Sequence, residues 1–95
     1  MISTKAQNVF DLIDFFENSD ISFRKEGNIL RVKCGLKHVS ERGIIISSVE
    51  ESEEIIHQYV FIKELVIIEK EKIKRVQFTE KVLIQYIYPH LIIYF

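Results

Sequence analysis

Apolar residues near the start of the chain recur at spacings of three and four, with charged residues between them. This period is typical of an amphipathic helix whose apolar face packs on the rest of the protein. The residues on this face are Ala6, Val9, Phe10, Ile13 and Phe16. Thr4 and Gln7 have the spacing of a capping box, and the polar residues 18–20 end the pattern. The sequence therefore predicts an N-terminal helix that begins after Thr4.

From residue 21 the period changes to two, which is typical of β-strands. Residues 21–23 and 29–36 flank a glycine-containing turn at 25–28, as in a hairpin. One face of the second strand is apolar and is expected to be buried; it carries Leu30, Val32, Cys34 and Leu36. The opposite face is basic and is expected to meet solvent. A polar loop at 38–42 leads into a further strand.

Residues 48–62 permit two interpretations. Ser48 and Glu51 have capping-box spacing, and the glutamates that follow would suit the positive start of a helix. Residues 55–62, however, are rich in β-branched and aromatic side chains and show no helical stripe. The pattern favours a polar loop or one helical turn over 48–54 and then a strand over 55–62. A longer helix stays open as the alternative.

The last third of the chain is dominated by apolar strands. These strands are predicted over residues 65–68, 73–78, 82–88 and 91–95. The charged segment 69–72 is typical of a hairpin tip, and Pro89 interrupts the pattern because proline cannot donate a ladder hydrogen bond. Neither face of the last two strands is polar, and strands of this kind are covered on both sides. One helix is too little to cover such a sheet twice.

The sheet therefore either curls into a partial barrel or packs against another chain. We expect self-association, because symmetric homodimers are the commonest oligomers. Aromatic side chains are enriched at protein interfaces. The residues expected at this contact are Tyr86, Tyr88, Tyr94 and Phe95.

The composition supports one sheet-rich domain. Hydrophobic residues make up 47% of the chain, and the abundance of isoleucine and valine favours strands over helices. A length of 95 residues suits a single domain, and short connections favour antiparallel pairing. The sequence predicts one domain over residues 1–95 of the α+β class. Its N-terminal helix packs on a curved, mainly antiparallel sheet of about six strands.

The charges are balanced, with 13 basic and 14 acidic residues and a net charge of −1. This balance excludes a general attraction of the whole protein to nucleic acid or anionic membranes. A local charged face is predicted instead on the solvent side of the hairpin; it comprises Arg24, Arg31, Lys33 and Lys37. It suits an acidic protein partner better than nucleic acid, because Phe23 is expected on the opposite face and no stacking platform accompanies the charges.

Motifs for catalysis, metal binding and nucleotide binding are missing from the sequence. His38, His57 and His90 are far apart, and none has a companion at metal-ligand spacing, so no cofactor is expected. Cys34 is the single cysteine; it excludes an internal disulfide and is expected to be buried. Apolar runs are far shorter than the roughly 20 residues that span a bilayer. Charged residues such as Lys5 interrupt the first stretch, so a cytoplasmic location is expected.

These observations favour a non-enzymatic domain that binds or assembles with another macromolecule, as an inhibitor, an immunity-type protein or an adaptor. Two alternatives stay open. One is a small-molecule binder whose pocket lies between sheet and helix and is lined by Phe10, Phe16 or Tyr59. The other is a nucleic-acid binder that uses the basic hairpin.

Overall fold

The structure is a computed structural model that describes residues 2–51 and 56–95, without the side chains of Ile2, Ile56 and His57. Its elements in chain order are β1 (Ile2–Ala6), α1 (Val9–Glu17), β2 (Phe23–Glu26), β3 (Ile29–Lys33), β4 (Gly35–Val39), β5 (Gly43–Ser47), β6 (Ile56–Glu69), β7 (Lys72–Ile87) and β8 (His90–Tyr94). The predicted α+β class and mainly antiparallel sheet are confirmed. The predicted number of about six strands was too low, because eight strands form one sheet.

The long hairpin β6–β7 is the frame of the sheet. The strands predicted over 55–62 and 65–68 fall in β6 from residue 56 onwards, and those predicted over 73–78 and 82–88 fall in β7 up to residue 87. The hairpin tip lies at the predicted place, with Lys70 in the left-handed conformation that a tight turn requires. Residues 48–51 are not helical; residues 52–54 of the loop or helical turn predicted over 48–54, and residue 55 of the strand predicted after it, lie outside the described residues.

The sheet consists of two half-sheets, and the long strands β6 and β7 each run through both of them. The first half-sheet contains β2, β3, β8, the end of β7 and the start of β6. The second contains β1, the start of β7, the end of β6, β5 and β4. β1 pairs in parallel with β7, and β5 pairs in parallel with β6, whereas every other strand pair in the described part of the chain is antiparallel. An irregularity in the register between Ile62 and Glu64 marks the change from one half to the other.

A single residue connects the two halves at Cys34. The predicted strand over 29–36 is divided here, because β3 ends at Lys33 and β4 begins at Gly35. β3 and β4 lie near opposite ends of the strand order. One intervening residue can join them only if the sheet curls until its two ends meet. The backbone amide of Cys34 donates to the carbonyl oxygen of Pro89 at 2.9 Å and holds this corner on the β7–β8 turn.

The helix begins later than predicted. Residues 2–6 form β1 beside β7, and the side chain of Asn8, not Thr4, caps the helix by accepting from the amide of Asp11. The start of the chain is extended and not helical, because in this conformation residues 2–6 pair with the neighbouring strand β7. The helix contributes four buried side chains to the core; they are Val9, Leu12, Phe15 and Phe16.

The inward faces of both half-sheets contribute to one core. Leu30, Val32, Cys34 and Leu36 are buried, as their alternation predicted. Along β7 the even-numbered residues point inward, apart from the exposed Lys72 at its start and the exposed Glu80. Tyr86 is therefore a core residue and not the contact residue that its aromatic character suggested. Its side chain has no solvent exposure, and its hydroxyl donates to the carbonyl oxygen of Cys34 at 2.7 Å.

Removing the Tyr86 hydroxyl is expected to destabilise the protein. In Tyr86→Phe the buried carbonyl of Cys34 loses a donor, so we expect the free energy of unfolding to fall by about 1–2 kcal/mol. Tyr88→Phe is the matched control, because its hydroxyl donates to the carbonyl of Glu50 at 2.7 Å in an exposed place where water can substitute. Urea denaturation of both variants measures the difference. Equal losses would contradict the buried position of Tyr86.

Candidate interaction surface

The outward face of the first half-sheet carries an unusual number of apolar side chains. Residues that pair across neighbouring strands project to the same face of a sheet. Phe61 pairs with Leu83, and Leu83 pairs with Tyr94. Further outward positions are Tyr59 on β6 and, beyond the half-buried polar Gln85, Ile87 on β7. We call these five residues, Tyr59, Phe61, Leu83, Ile87 and Tyr94, the aromatic face.

Three side chains of the aromatic face, Tyr59, Phe61 and Ile87, are exposed to solvent, and the other two are half-buried. Phe61 is 60% exposed and Tyr59 is 54% exposed, which is high for aromatic side chains in a chain this size. The rings of Tyr59 and Tyr94 pack edge to face with their centroids 5.3 Å apart. A side-chain hydrogen bond with Tyr59 raises the pKa of the Tyr94 hydroxyl above its ordinary value. Single exposed apolar residues are common, whereas groups of them that share one face are typical of interaction sites.

A basic margin adjoins the aromatic face on β2, β3 and β8. It consists of Arg24, Arg31, Lys33 and His90 and lines a groove of about 240 Å³. Arg24 pairs with Arg31, and Lys33 pairs with His90, so the four side chains lie on the same face. Three residues of the predicted charged face therefore come together. Lys37 does not join them, because it lies on β4 in the second half-sheet.

The charge of the basic margin is partly neutralised within the chain. Arg24 lies 3.4 Å from Glu26, and Lys33 lies 3.9 Å from Glu50. These pairs are solvent-exposed, so each contributes little to stability. Arg31 forms no salt bridge within the described residues. Its positive charge tends to lower the pKa of the Tyr94 hydroxyl, but the hydrogen bond with Tyr59 has the larger effect and raises it. The margin is therefore polar with a modest positive excess.

The four residues predicted for self-association lie in different places. Tyr94 belongs to the aromatic face, and Tyr88 lies at the exposed β7–β8 turn. Phe95 is half-buried and packs on Phe78 with ring centroids 5.9 Å apart. Tyr86, as described above, is in the core.

Sequence reasoning missed Phe61 as a contact residue and assigned Tyr59 to a pocket. The alternation of Tyr59, Phe61 and Lys63 with the more buried Val60 and Ile62 was the signal that separated the two faces of this strand.

The edges of the sheet differ in their protection. β2 carries Arg24, Lys25 and Glu26 along its short length, and charged side chains discourage pairing with another strand. β4 is an irregular edge, because its register with β5 shifts between Leu36 and His38. The start of β6 pairs only with β7 within the described residues. No lysine, arginine, aspartate or glutamate occurs between residues 56 and 62. The least protected edge thus borders the aromatic face.

The pocket expected between sheet and helix is not assembled from the predicted residues. Phe16 is buried in the core, whereas Tyr59 lies on the aromatic face. Phe10 projects from α1 into an open groove of about 350 Å³ that it shares with Tyr94 and Phe95. These three predicted positions do not enclose a common cavity.

The predicted burial of Cys34 is confirmed, and its chemistry follows from that burial. Burial, with a smaller effect of the negative charge of Glu50, raises the pKa of the Cys34 thiol to about 12. We expect the folded protein to resist alkylation by iodoacetamide at pH 8, because the reactive thiolate is scarce and inaccessible. Since the thiol ionises more easily when unfolded, its contribution to stability is lost as the pH rises from about 9 towards 12. Rapid alkylation of folded protein, measured by mass spectrometry, would contradict this placement.

Metal ligands do not converge in the described ranges: no three histidine, cysteine or carboxylate residues there lie close enough together to hold an ion. No helix among residues 2–51 and 56–95 is both long and apolar enough to cross a membrane. Comparison with protein-family models, curated proteins and solved structures found no match to this chain.

Proposed function

We propose that this chain is a non-enzymatic assembly domain that associates with a second copy of itself through the aromatic face. The observation that carries the proposal is the group of exposed and half-buried apolar side chains on one face of β6, β7 and β8. An apolar centre with a polar margin is the usual composition of a protein interface. A cytoplasmic location, as expected for a domain with one unpaired cysteine, is part of the same proposal.

A second copy suits this surface for two reasons. The edge of β6 that borders the aromatic face carries no charged side chain between residues 56 and 62, so the same strand of another copy can approach it about a two-fold axis. The basic margin is also largely neutralised, because Glu26 and Glu50 accompany Arg24 and Lys33. Two copies therefore meet with little like-charge repulsion.

Sedimentation velocity with a matched pair of variants tests this proposal. Phe61→Glu places a charge in the aromatic face, whereas Phe10→Glu places the same charge on the exposed surface of α1. We expect wild type and Phe10→Glu to dimerise at tens of micromolar and Phe61→Glu to remain monomeric, because a buried unpaired charge costs several kcal/mol. Both substitutions replace an exposed phenylalanine, so both variants are expected to fold.

Two outcomes would contradict self-association: a monomeric wild type at about 100 µM, or equal weakening by both variants. A monomeric wild type would favour the other form of the binding hypothesis. In that form the aromatic face meets a different protein, as an inhibitor, an immunity-type protein or an adaptor would.

Single-stranded nucleic acid is a second candidate partner, and one observation favours it. The sequence suggested that no stacking platform accompanied the basic residues, but Tyr59, Phe61 and Tyr94 share a face with Arg31. Exposed aromatics beside cations are typical of proteins that bind single strands. Binding of a dT oligonucleotide, lost steeply as salt rises and weakened by Arg31→Gln, would support this candidate. The aliphatic Leu83 and Ile87 favour protein, since they offer little to a nucleobase.

A further inference from the structure

A second site lies on the outward face of the other half-sheet, where two arginines share one carboxylate. Glu64 is nearly inaccessible, with its side chain 7% exposed. Its Oε2 lies 2.7 Å from Nε of Arg42, and its Oε1 contacts Nε of Arg75. We call these three residues the Glu64 cluster. Arg42 comes from the loop before β5, and Arg75 comes from β7, so distant segments supply the two guanidinium groups.

The way in which the arginines are held determines what they can still bind. Each contacts Glu64 through Nε, so the edge of its guanidinium group formed by the two terminal nitrogens is not the edge that faces the carboxylate. Those terminal nitrogens form the planar fork that recognises oxyanions. Arg42 is 72% exposed, so its fork is available to a ligand. The buried carboxylate thus fixes the orientation of Arg42, and the terminal N–H groups of Arg42 can still donate hydrogen bonds to a ligand.

A recess beside the Glu64 cluster gathers further donors. It has a volume of about 370 Å³ and is lined by Lys5, Arg42, Lys63, Glu64, Gln77, Phe78 and Thr79. Lys5 pairs with Gln77 across β1 and β7, and Gln77 pairs with Glu64 across β7 and β6, so this row lies on one face. Lys63 occupies the irregular position of β6 beside them, and its amide donates to the carbonyl of Arg42. The recess is within the size range of small-ligand sites.

The charge of the recess indicates the class of ligand. Three cationic side chains, Lys5, Arg42 and Lys63, and one carboxylate, Glu64, line the recess, which leaves a local charge of +2 on a chain whose net charge is −1. Lys5 and Lys63 form no salt bridge within the described residues. Such an excess favours a doubly charged oxyanion over a singly charged carboxylate.

We propose that this recess binds a phosphoryl group. The fork of Arg42 contacts two of its oxygens, Lys5 and Lys63 neutralise its charge from either side, and the Gln77 amide is a further donor. This site is separate from the aromatic face and does not depend on the proposed self-association.

Titration of the full chain with inorganic phosphate, followed by amide NMR, tests the proposal. Sodium chloride of equal ionic strength is the reference. We expect saturable shifts at Arg42, Lys63 and Gln77 with a dissociation constant on the order of 1 mM. Arg42→Gln is expected to weaken binding at least about fivefold, and to remain folded because Glu64 keeps its contact with Arg75. Lys81→Gln, an exposed substitution outside the recess, is the control and should bind as wild type does.

A second arm identifies the source of the phosphoryl group. Tighter binding of O-phosphoserine than of phosphate would assign the recess to phosphorylated side chains, whereas equal binding would assign it to free phosphate. The proposal is overturned if chloride reproduces the shifts, if acetate binds as tightly as phosphate, or if Arg42→Gln and Lys81→Gln bind phosphate equally. Serine without its phosphate should not bind.

Discussion

Replacing Gly43 by alanine is expected to lower the free energy of unfolding by about 3 kcal/mol, one of the largest effects of any single methyl group in this chain. A Cβ at this position would overlap the carbonyl oxygen of Glu64 and come within 2.8 Å of its carbonyl carbon. Both obstacles are backbone atoms in the paired strand β6, so neither can rotate away. The strands β5 and β6 must separate to admit the methyl group. Thermal and urea denaturation measure the loss.

Gly27→Ala is the control for this prediction. Gly27 has a φ of 62°, but nothing lies within 4 Å of a Cβ placed there. Alanine in this left-handed conformation is expected to cost about 1 kcal/mol. A Gly43→Ala variant that is no less stable than Gly27→Ala would show that β5 and β6 do not approach as closely as described. Because Gly43 also positions Glu64, the same variant should weaken phosphate binding in the recess.

The second large effect distinguishes the two faces of β7. Ile84 has no solvent exposure, and its truncation to alanine leaves a cavity in the core, so we expect a loss of about 3–4 kcal/mol. Ile87, three residues along the same strand, is 46% exposed on the aromatic face. Its truncation removes little buried surface from the monomer, and we expect a loss below about 1 kcal/mol.

The Ile84→Ala and Ile87→Ala variants are best compared by urea denaturation at a low protein concentration, where self-association does not add to the stability of the folded state. The ratio of their effects then reports the orientation of β7 alone. Similar losses from both variants would mean that Ile87 is covered within its own chain. The aromatic face would then lose a member.

The sequence predicted the faces of β3 and failed to choose between those of β7, for a physical reason. In β3, Arg31 and Lys33 alternate with Leu30 and Val32, so polarity alone identifies the buried side. In β7, Leu83 and Ile87 are as apolar as the buried Ile84. Polarity carries no information there, and only the packing of the other strands decides which side is covered.

The mainly apolar character of both sides of residues 82–88 was nevertheless informative. It indicated that the sheet has more apolar surface than one chain covers. The curl of the sheet at Cys34 covers the apolar side chains that point inward. The apolar side chains that point outward form the aromatic face. The sequence offered two alternatives, a partial barrel and an additional partner. The structure has the curl that a partial barrel requires, and the additional partner remains our proposal.

Long-range pairing explains most of the remaining differences between expectation and structure. Residues 2–6 form a strand because β7 lies beside them, and that neighbour comes from residues 74–78. The Glu64 cluster was equally inaccessible to sequence reasoning, because Arg42, Glu64 and Arg75 have no common spacing. Lys37 was assigned to the charged face by its alternation with Leu36. The break at Cys34, which separates it from that face, leaves no signal in the pattern of polarity.

Amide hydrogen exchange as a function of protein concentration tests the central claim most directly. If two copies meet at the aromatic face and the adjoining edge of β6, the amides of Tyr59 and Phe61 should exchange more slowly as the concentration rises from about 10 µM to 1 mM. The amides of Lys37 and His38 on β4 should keep the same rates throughout. Unchanged exchange at Tyr59 and Phe61, or slowing confined to β4, would contradict the assignment of the aromatic face as the site of assembly.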